Sequence, residues 1–526
     1  MSDHLSGQNQ TSSGKAAENQ GAGANRRDTI KWMAAGATAA LLRQQSARAA
    51  RARPSRRPNI IYIHSHDSGR YFSPYGHAVP TPNIQKLARA GVLFRNAFCA
   101  APTCSPSRAC LLTGEVAHQN GMLGLVNRGF AMTPEGYQHH IIRTLRHEAG
   151  YYSALVGLQH IAHDPHIIGY DYLDPTVWGA CWASEVAPAA VRFIKDKARS
   201  KEPFWLTVGF METHRPYPPA TAQDDWRYVA PPGPSVDAPA TRRDMADFHA
   251  SVRHVDWGVG RVLAALEEAG LADNTLVVST TDHGIAWPDM KCCLYDGGVG
   301  VHLVMRGPGW FGGGRVCDAM VSQLDLYPTL CEVLNIPAPA WLNGKSFLPV
   351  LRGQAHEIND TLFAEVNFHA CYEPKRAAWT NRYKFIRRFD GRTTPVLPNC
   401  DVGGNLAFWH RYSHLLKRPQ GYKVFLRTLY KDKDCGAKDY WLQHGWAQQY
   451  VPPEALYDRL LDPHERCNLI ADDAHQKVLA EMRHRLDSWM HDTKDPLLDG
   501  PVKPPRGAIL NYPDQISPLD PKFRVG

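Results

Sequence analysis

From residue 58 onward, short apolar runs alternate with amphipathic stretches, the pattern of a parallel sheet covered by helices. Asn59 to His64 (NIIYIH) predicts a buried strand. Ala154 to Gly157, Phe204 to Phe210 (FWLTVGF) and Leu276 to Ser279 (LVVS) predict three more. Thr81-Pro82-Asn83-Ile84 opens a helix with a threonine cap and proline at the first position, and Gly91 closes it. Met245, Phe248, Val252, Val255, Val259, Val262 and Leu266 have the spacing of one long helix that stops at Gly270. Gly307 to Gly314 is a loop. Beyond about residue 365 the pattern weakens into short aromatic and basic segments, Pro-rich at the end. The expected organisation is a large α/β domain over 58–365 and a smaller mixed domain over 366–526, with no internal repeat.

The first 50 residues have a different character. A polar lead ends in Asn25-Arg26-Arg27-Asp28-Thr29-Ile30-Lys31; an apolar stretch from Trp32 to Leu42 and a small-x-small pattern, Ala47-Arg48-Ala49, follow. This order resembles a twin-arginine export signal, with 51–57 as a basic linker. It implies export machinery as a partner and a periplasmic or secreted protein. That route carries folded chains, so a cofactor or modification is installed before export. The net charge of +8 is concentrated here: residues 1–57 carry +7, leaving +1 for the rest. A nucleic-acid partner therefore has no support in the charge, and the 11-residue apolar stretch is too short to span a bilayer. The twelve cysteines form no C-x-x-C repeat and no zinc pattern. Most are expected to be small buried apolar residues.

In open parallel sheets ligands bind beyond the carboxyl ends of the strands. There the chain places Ser65-His66-Asp67 after NIIYIH, Leu158-Gln159-His160 after the strand ending at Gly157, Glu212-Thr213-His214-Arg215 after FWLTVGF, and Asp282-His283 after LVVS. Four strands thus deliver His or Asp to one edge, which points to a cation beside several histidines. Asp67 and Asp282 are candidates to chelate one divalent ion. Ca²⁺ and Mg²⁺ prefer all-oxygen shells, whereas ligation by His66 and His283 favours Mn²⁺ or Zn²⁺.

The most specific segment is Cys104-Ser105-Pro106-Ser107-Arg108 with Leu111-Leu112-Thr113-Gly114. It resembles the C-x-P-S-R and L-x-T-G elements of the type I sulfatases, in which the cysteine is oxidised to formylglycine by a formylglycine-generating enzyme. Pro80-Thr81-Pro82-Asn83, Thr281-Asp282-His283-Gly284, and Leu456-Tyr457-Asp458 with Asp462-Pro463-His464-Glu465 and Asn468-Leu469 extend the resemblance over most of 58–470. His118-Gln119-Asn120-Gly121-Met122 and His214-Arg215 look most like the heparan N-sulfatases, or sulfamidases.

The resemblance implies an alkaline-phosphatase-like α/β/α sandwich with a smaller C-terminal α+β domain, and hydrolysis of a sulfate ester or N-sulfate on a sulfated sugar. It implies one divalent metal, Ca²⁺ by family with Mn²⁺, Mg²⁺ or Zn²⁺ as alternatives, held by Asp67, Asp282, His283, His66 and Cys104. Cys104, as formylglycine, is the implied nucleophile, and Arg108 holds its diol and a sulfate oxygen. His214 protonates the leaving atom, His160 assists collapse of the sulfated diol, and Lys291 neutralises charge on sulfate. His118, Glu212 and Arg215 are expected to contact the sugar. Several residues depart from the family pattern: His66 and His283 in the metal loops, Leu158 in place of a sulfate-binding lysine, and Glu115 in place of arginine. A phosphonate or phosphodiester hydrolase of the same superfamily and a carbohydrate-binding relative without turnover are the alternative readings.

Overall fold

The computed structural model describes residues 56–177, 181–233, 235–400 and 436–526; the predicted leader lies outside them. An eight-stranded sheet forms the centre. In chain order its strands are β1 (Asn59–His64), β2 (Val92–Phe94), β3 (Tyr152–Gly157), β4 (Tyr172–Leu173), β5 (Phe204–Gly209), β6 (Thr275–Thr280), β7 (Leu303–Arg306) and β8 (Arg315–Cys317). Their spatial order is β4-β3-β5-β1-β6-β7-β2-β8, all parallel except β7, which runs antiparallel to both neighbours.

The unbroken apolar run of β1 has a simple cause. Ile60 and Tyr62 enter one core with Trp205, Leu276 and Val278, while Ile61 and Ile63 enter the other with Leu206, Val208 and Val277. Both faces are covered, so both phases of the strand are apolar. β1 lies between β5 and β6, with His64 in register with Gly209 and Thr280. Three carboxyl ends are thereby brought level.

Helix α1 (Pro82–Ala90) has Thr81 at its N-cap position as expected, but the threonine side chain does not cap it. Its hydroxyl accepts from the Ser73 amide (2.9 Å), and the first-turn amides of Asn83 and Ile84 donate to Asp256 (3.0 and 2.8 Å). Asp256 belongs to a 30-residue helix, Pro239–Glu268, whose predicted stripe from Met245 to Leu266 is its buried face. A carboxylate at a helix N-terminus does the work assigned to the threonine.

The second sheet is four-stranded and antiparallel: β9 (Leu362–Phe368), β10 (Tyr372–Trp379), β11 (Tyr383–Arg388) and β12 (Glu454–Asp458). Ala378, Phe385 and Leu456 from it pack against Leu479, Met482, Leu486 and Met490 of the helix Gln476–Asp492. The apolar pattern weakens here because the strands bury charges. Arg376 is fully buried and forks onto Asp495 (2.5 and 2.9 Å), and Lys375 and Lys384 are buried beside Glu373 and Glu465. Among the described residues no helix is long and apolar enough to cross a membrane.

Candidate active site

Cys104 is the first residue of the helix Cys104–Thr113, every residue of which is buried. Its thiol lies 3.3 Å from His283 Nε2 and 3.9 Å from Asp67 Oδ1. Burial alone would raise this thiol's pKa, but Lys291, His66 and His283 outweigh it and hold the group well below its ordinary value. The result is thiolate character in a water-poor site.

The two carboxylates arrive from adjacent strands. The Asp67 amide donates to Asp282 Oδ1 (2.8 Å), and His66 Nδ1 stands 2.7 Å from Asp67 Oδ1 and 3.0 Å from Asp282 Oδ2. Ser107 Oγ donates to the Asp282 carbonyl (2.6 Å), which ties the Cys104 helix to the β6 loop. Ligand atoms of His66, Asp67, Cys104, Asp282 and His283 all lie within 4.8 Å of one another. The five residues expected to hold a metal are therefore brought together.

Two cations flank this set. Lys291 Nζ donates to Asp67 Oδ2 (2.7 Å), and Arg108 Nη2 donates to Asp282 Oδ2 (2.8 Å) and the Ser65 carbonyl (3.1 Å). Burial pushes both carboxylates up in pKa, but these cations and the neighbouring histidines prevail. Asp67 is held at about 2 and Asp282 well below the carboxylate range.

His214 is a quarter exposed, and its Nδ1 donates to the Arg215 carbonyl (2.5 Å). That bond leaves the lone pair on Nε2, which accepts from Lys291 Nζ (3.4 Å). His160 is hydrogen-bonded to the Cys104 thiol, its Nδ1 has no partner among the described residues, and burial lowers its pKa. Leu158 and His160 line a cavity of about 230 Å³ together with Val126, Leu155 and Val177.

Three expected sugar contacts are not available as such. Glu212 is buried and its carboxylate accepts the Ala183 amide (2.8 and 3.1 Å), capping the helix Ala183–Lys197. Arg215 is buried and forks onto Asp244 (2.7 and 2.5 Å) while its Nε donates to the Ala286 carbonyl (3.0 Å). His118 has Nδ1 on Glu365 (3.0 Å) and Nε2 at the Thr493 carbonyl (3.3 Å), so both ring nitrogens are engaged in joining its short helix to β9 and to the end of the helix Gln476–Asp492. Each is placed as a structural tie. Glu115, the other departure, pairs with His139 (2.8 Å).

His64 belongs to the site and was not expected there. Its Nδ1 accepts a hydrogen bond from Arg108 Nη1, and burial and the guanidinium together push its pKa well down. A neutral imidazole at the end of β1 therefore steadies the guanidinium at Nη1 while Asp282 holds Nη2. The space for its ring comes from Gly209, where a Cβ would sit 2.6 Å from His64 Cε1. A polar residue closing an otherwise apolar buried strand was the available signal.

The sulfatase family profile matches residues 58–336, and that of the N-sulphoglucosamine sulphohydrolase C-terminal region matches 283–395. Human N-sulphoglucosamine sulphohydrolase is 28% identical over 508 residues, covering 86% of this chain and 93% of its own. A Bacteroides thetaiotaomicron N-acetylglucosamine-6-O-sulfatase is 24% identical over 444 residues, covering 64% and 78%. In fold, the chain resembles BT4656, solved with its substrate D-glucosamine-2-N,6-O-disulfate, at TM-score 0.61 and 18% identity, covering 84% of this chain and 99% of that one. Sequence match over more than half the chain agrees with the strand-end site built above, and the chain belongs to the sulfatase family.

Proposed function

We propose that this sulfatase removes sulfate from an O- or N-sulfated amino sugar, with residue 104 as the nucleophile beside one divalent cation. The observation that carries the reading is the position of Cys104, at the head of a buried helix and inside the set formed by His66, Asp67, Asp282 and His283. The amino-sugar class rests on the relatives, whose names describe N-sulphoglucosamine and N-acetylglucosamine 6-sulfate as their substrates.

The donor set fits a divalent cation: two carboxylates supply charge and two imidazoles would supply ring nitrogens once a cation displaces their protons. The imidazoles weigh toward Mn²⁺ or Zn²⁺ over the Ca²⁺ that family resemblance implies. Held by these residues, such an ion would supply Lewis acidity beside residue 104 and screening of sulfate charge. Conversion of Cys104 to hydrated formylglycine supplies two hydroxyls on one carbon, one to attack sulfur and one to release sulfate as the aldehyde returns. Arg108, fixed by His64, Ser65 and Asp282, is preorganised to hold an oxygen at residue 104. Lys291 carries positive charge to the edge of the site between Asp67 and His214. His214, its Nδ1 committed to a carbonyl, presents Nε2 toward the leaving atom, where it would pass on a proton received through its contact with Lys291. The Arg26-Arg27 leader supports export of the folded enzyme to the periplasm.

Two measurements test the reading. Mass analysis of the peptide holding residue 104 should show loss of sulfur in favour of an aldehyde. Sulfate release should be faster from N-sulfated glucosamine than phosphonate release from an aryl phosphonate; the opposite order would assign a phosphonate hydrolase, and glycan binding without turnover in converted protein would assign a binding role.

A further inference from the structure

Three cysteines, two of them next to Lys291 in the chain, line one partly open cavity of about 50 Å³. Cys292 and Cys293 follow Lys291 directly, and Cys400 ends the short 3-10 turn Leu397–Cys400. None of the three is in a disulfide. The rest of the wall is mostly apolar and carries the charged groups of Glu373, Lys375 and Arg388.

Hydrogen bonds join the two cysteine-bearing segments across this cavity. Lys375 Nζ donates to the Cys292 carbonyl (2.8 Å) and to Glu373 Oε1 (2.8 Å). Glu373 Oε2 in turn accepts from Asn399 Nδ2 (2.8 Å), next to Cys400. On the other side the Cys292 amide donates to the Pro102 carbonyl (2.9 Å), two residues before Cys104. Whatever constrains Cys292 and Cys293 therefore constrains the loop that holds Lys291 and touches the bend leading into the Cys104 helix.

We propose that Cys293 and Cys400 are a redox pair that closes to a disulfide and pins the Lys291 loop against the second sheet. Cys293 is a partly exposed residue with a buried thiol and Cys292 is buried altogether, so an external disulfide reaches Cys293 first on local opening. The Cys293 thiolate attacks one sulfur of that disulfide and expels a thiol; the Cys400 thiolate then attacks the mixed disulfide at Cys293 and expels the second. The pair loses two protons and two electrons, and the external disulfide gains both as two thiols. Burial raises the pKa of these thiols, that of Cys293 to about 12, so closure is slow at neutral pH and faster in alkali.

The test uses the full chain equilibrated with oxidised or reduced glutathione, then alkylated under denaturing conditions and digested without reduction. After oxidation, a cross-linked peptide pair joining Cys293 to Cys400 is expected, retained in Cys292→Ser and absent in Cys293→Ser. Adduct formation at exposed Cys467 serves as the control for oxidant. Reductant should lower the melting temperature of oxidised wild type and leave that of Cys400→Ser unchanged. Cys400 recovered fully alkylated from oxidised protein, or linked to Cys292, would overturn the pairing. The wild-type peptide map decides even if Cys400→Ser fails to fold.

Discussion

Lys291 Nζ lies 2.7 Å from Asp67 Oδ2 and 3.4 Å from His214 Nε2, so one ammonium bridges a carboxylate of the candidate metal site and the histidine proposed to carry a proton. Lys291→Ala removes both contacts and leaves Asp67 buried without its cation. Turnover of an aryl sulfate should fall about 10²–10³-fold, the scale of losing one preorganised electrostatic contact. Lys291→Arg should recover part of it. Near wild-type turnover by the alanine variant would place Lys291 outside the chemistry.

His64→Leu tests the imidazole behind Arg108. The guanidinium would keep Asp282 and the Ser65 carbonyl but lose its third acceptor. A drop of about 10–100-fold in kcat with little change in KM is expected, as for other supporting contacts around metal sites. Gly209→Ala attacks the same arrangement sterically, since its Cβ would meet His64 at 2.6 Å and the Leu158 carbonyl at 2.1 Å. Destabilisation of about 1–3 kcal/mol should appear in urea titration.

Arg215→Ala should act on stability and not on recognition. It strands Asp244 in a buried site, for which about 3–5 kcal/mol is typical. KM for a sugar substrate and for a small aryl sulfate should change in parallel. A KM increase confined to the sugar would restore the contact expected from sequence.

Stability should decline on acidification in part through His140. Burial lowers its pKa to about 3, against 6.5 for the unfolded chain. Between those values the unfolded state binds the extra proton, so the contribution is intact above pH 6.5 and is lost as pH falls toward 3, by up to about 1.4 kcal/mol per pH unit. His140→Asn should flatten the urea midpoint between pH 7 and pH 5; an unchanged slope would show that His140 titrates normally.

Removal of bound metal by chelator, followed by titration with Mn²⁺, Zn²⁺ and Ca²⁺, should give one site per chain. Asp67→Asn and Asp282→Asn should each weaken it at least about 10-fold by calorimetry. Full affinity in either variant would exclude that carboxylate as a ligand.

Local pattern alone sufficed for the strand Asn59–His64, the buried stripe of the helix Pro239–Glu268 and the strand-end position of Asp67 and Asp282, while the Cys104–Arg108 segment was legible through its family resemblance. These features repeat at the period of one element or occupy a few consecutive residues, so neighbouring side chains are enough to define them. Tertiary structure alone decided what the charged residues do. Glu212 caps a helix that starts 29 residues earlier, Arg215 answers to Asp244, and His118 answers to Glu365. A buried polar side chain takes its role from whichever partner satisfies its hydrogen bonds, and that partner lies at no fixed distance along the chain. The same reason hid His64: its chemistry exists only where the glycine of a neighbouring strand leaves room and the arginine of a distant helix supplies a donor.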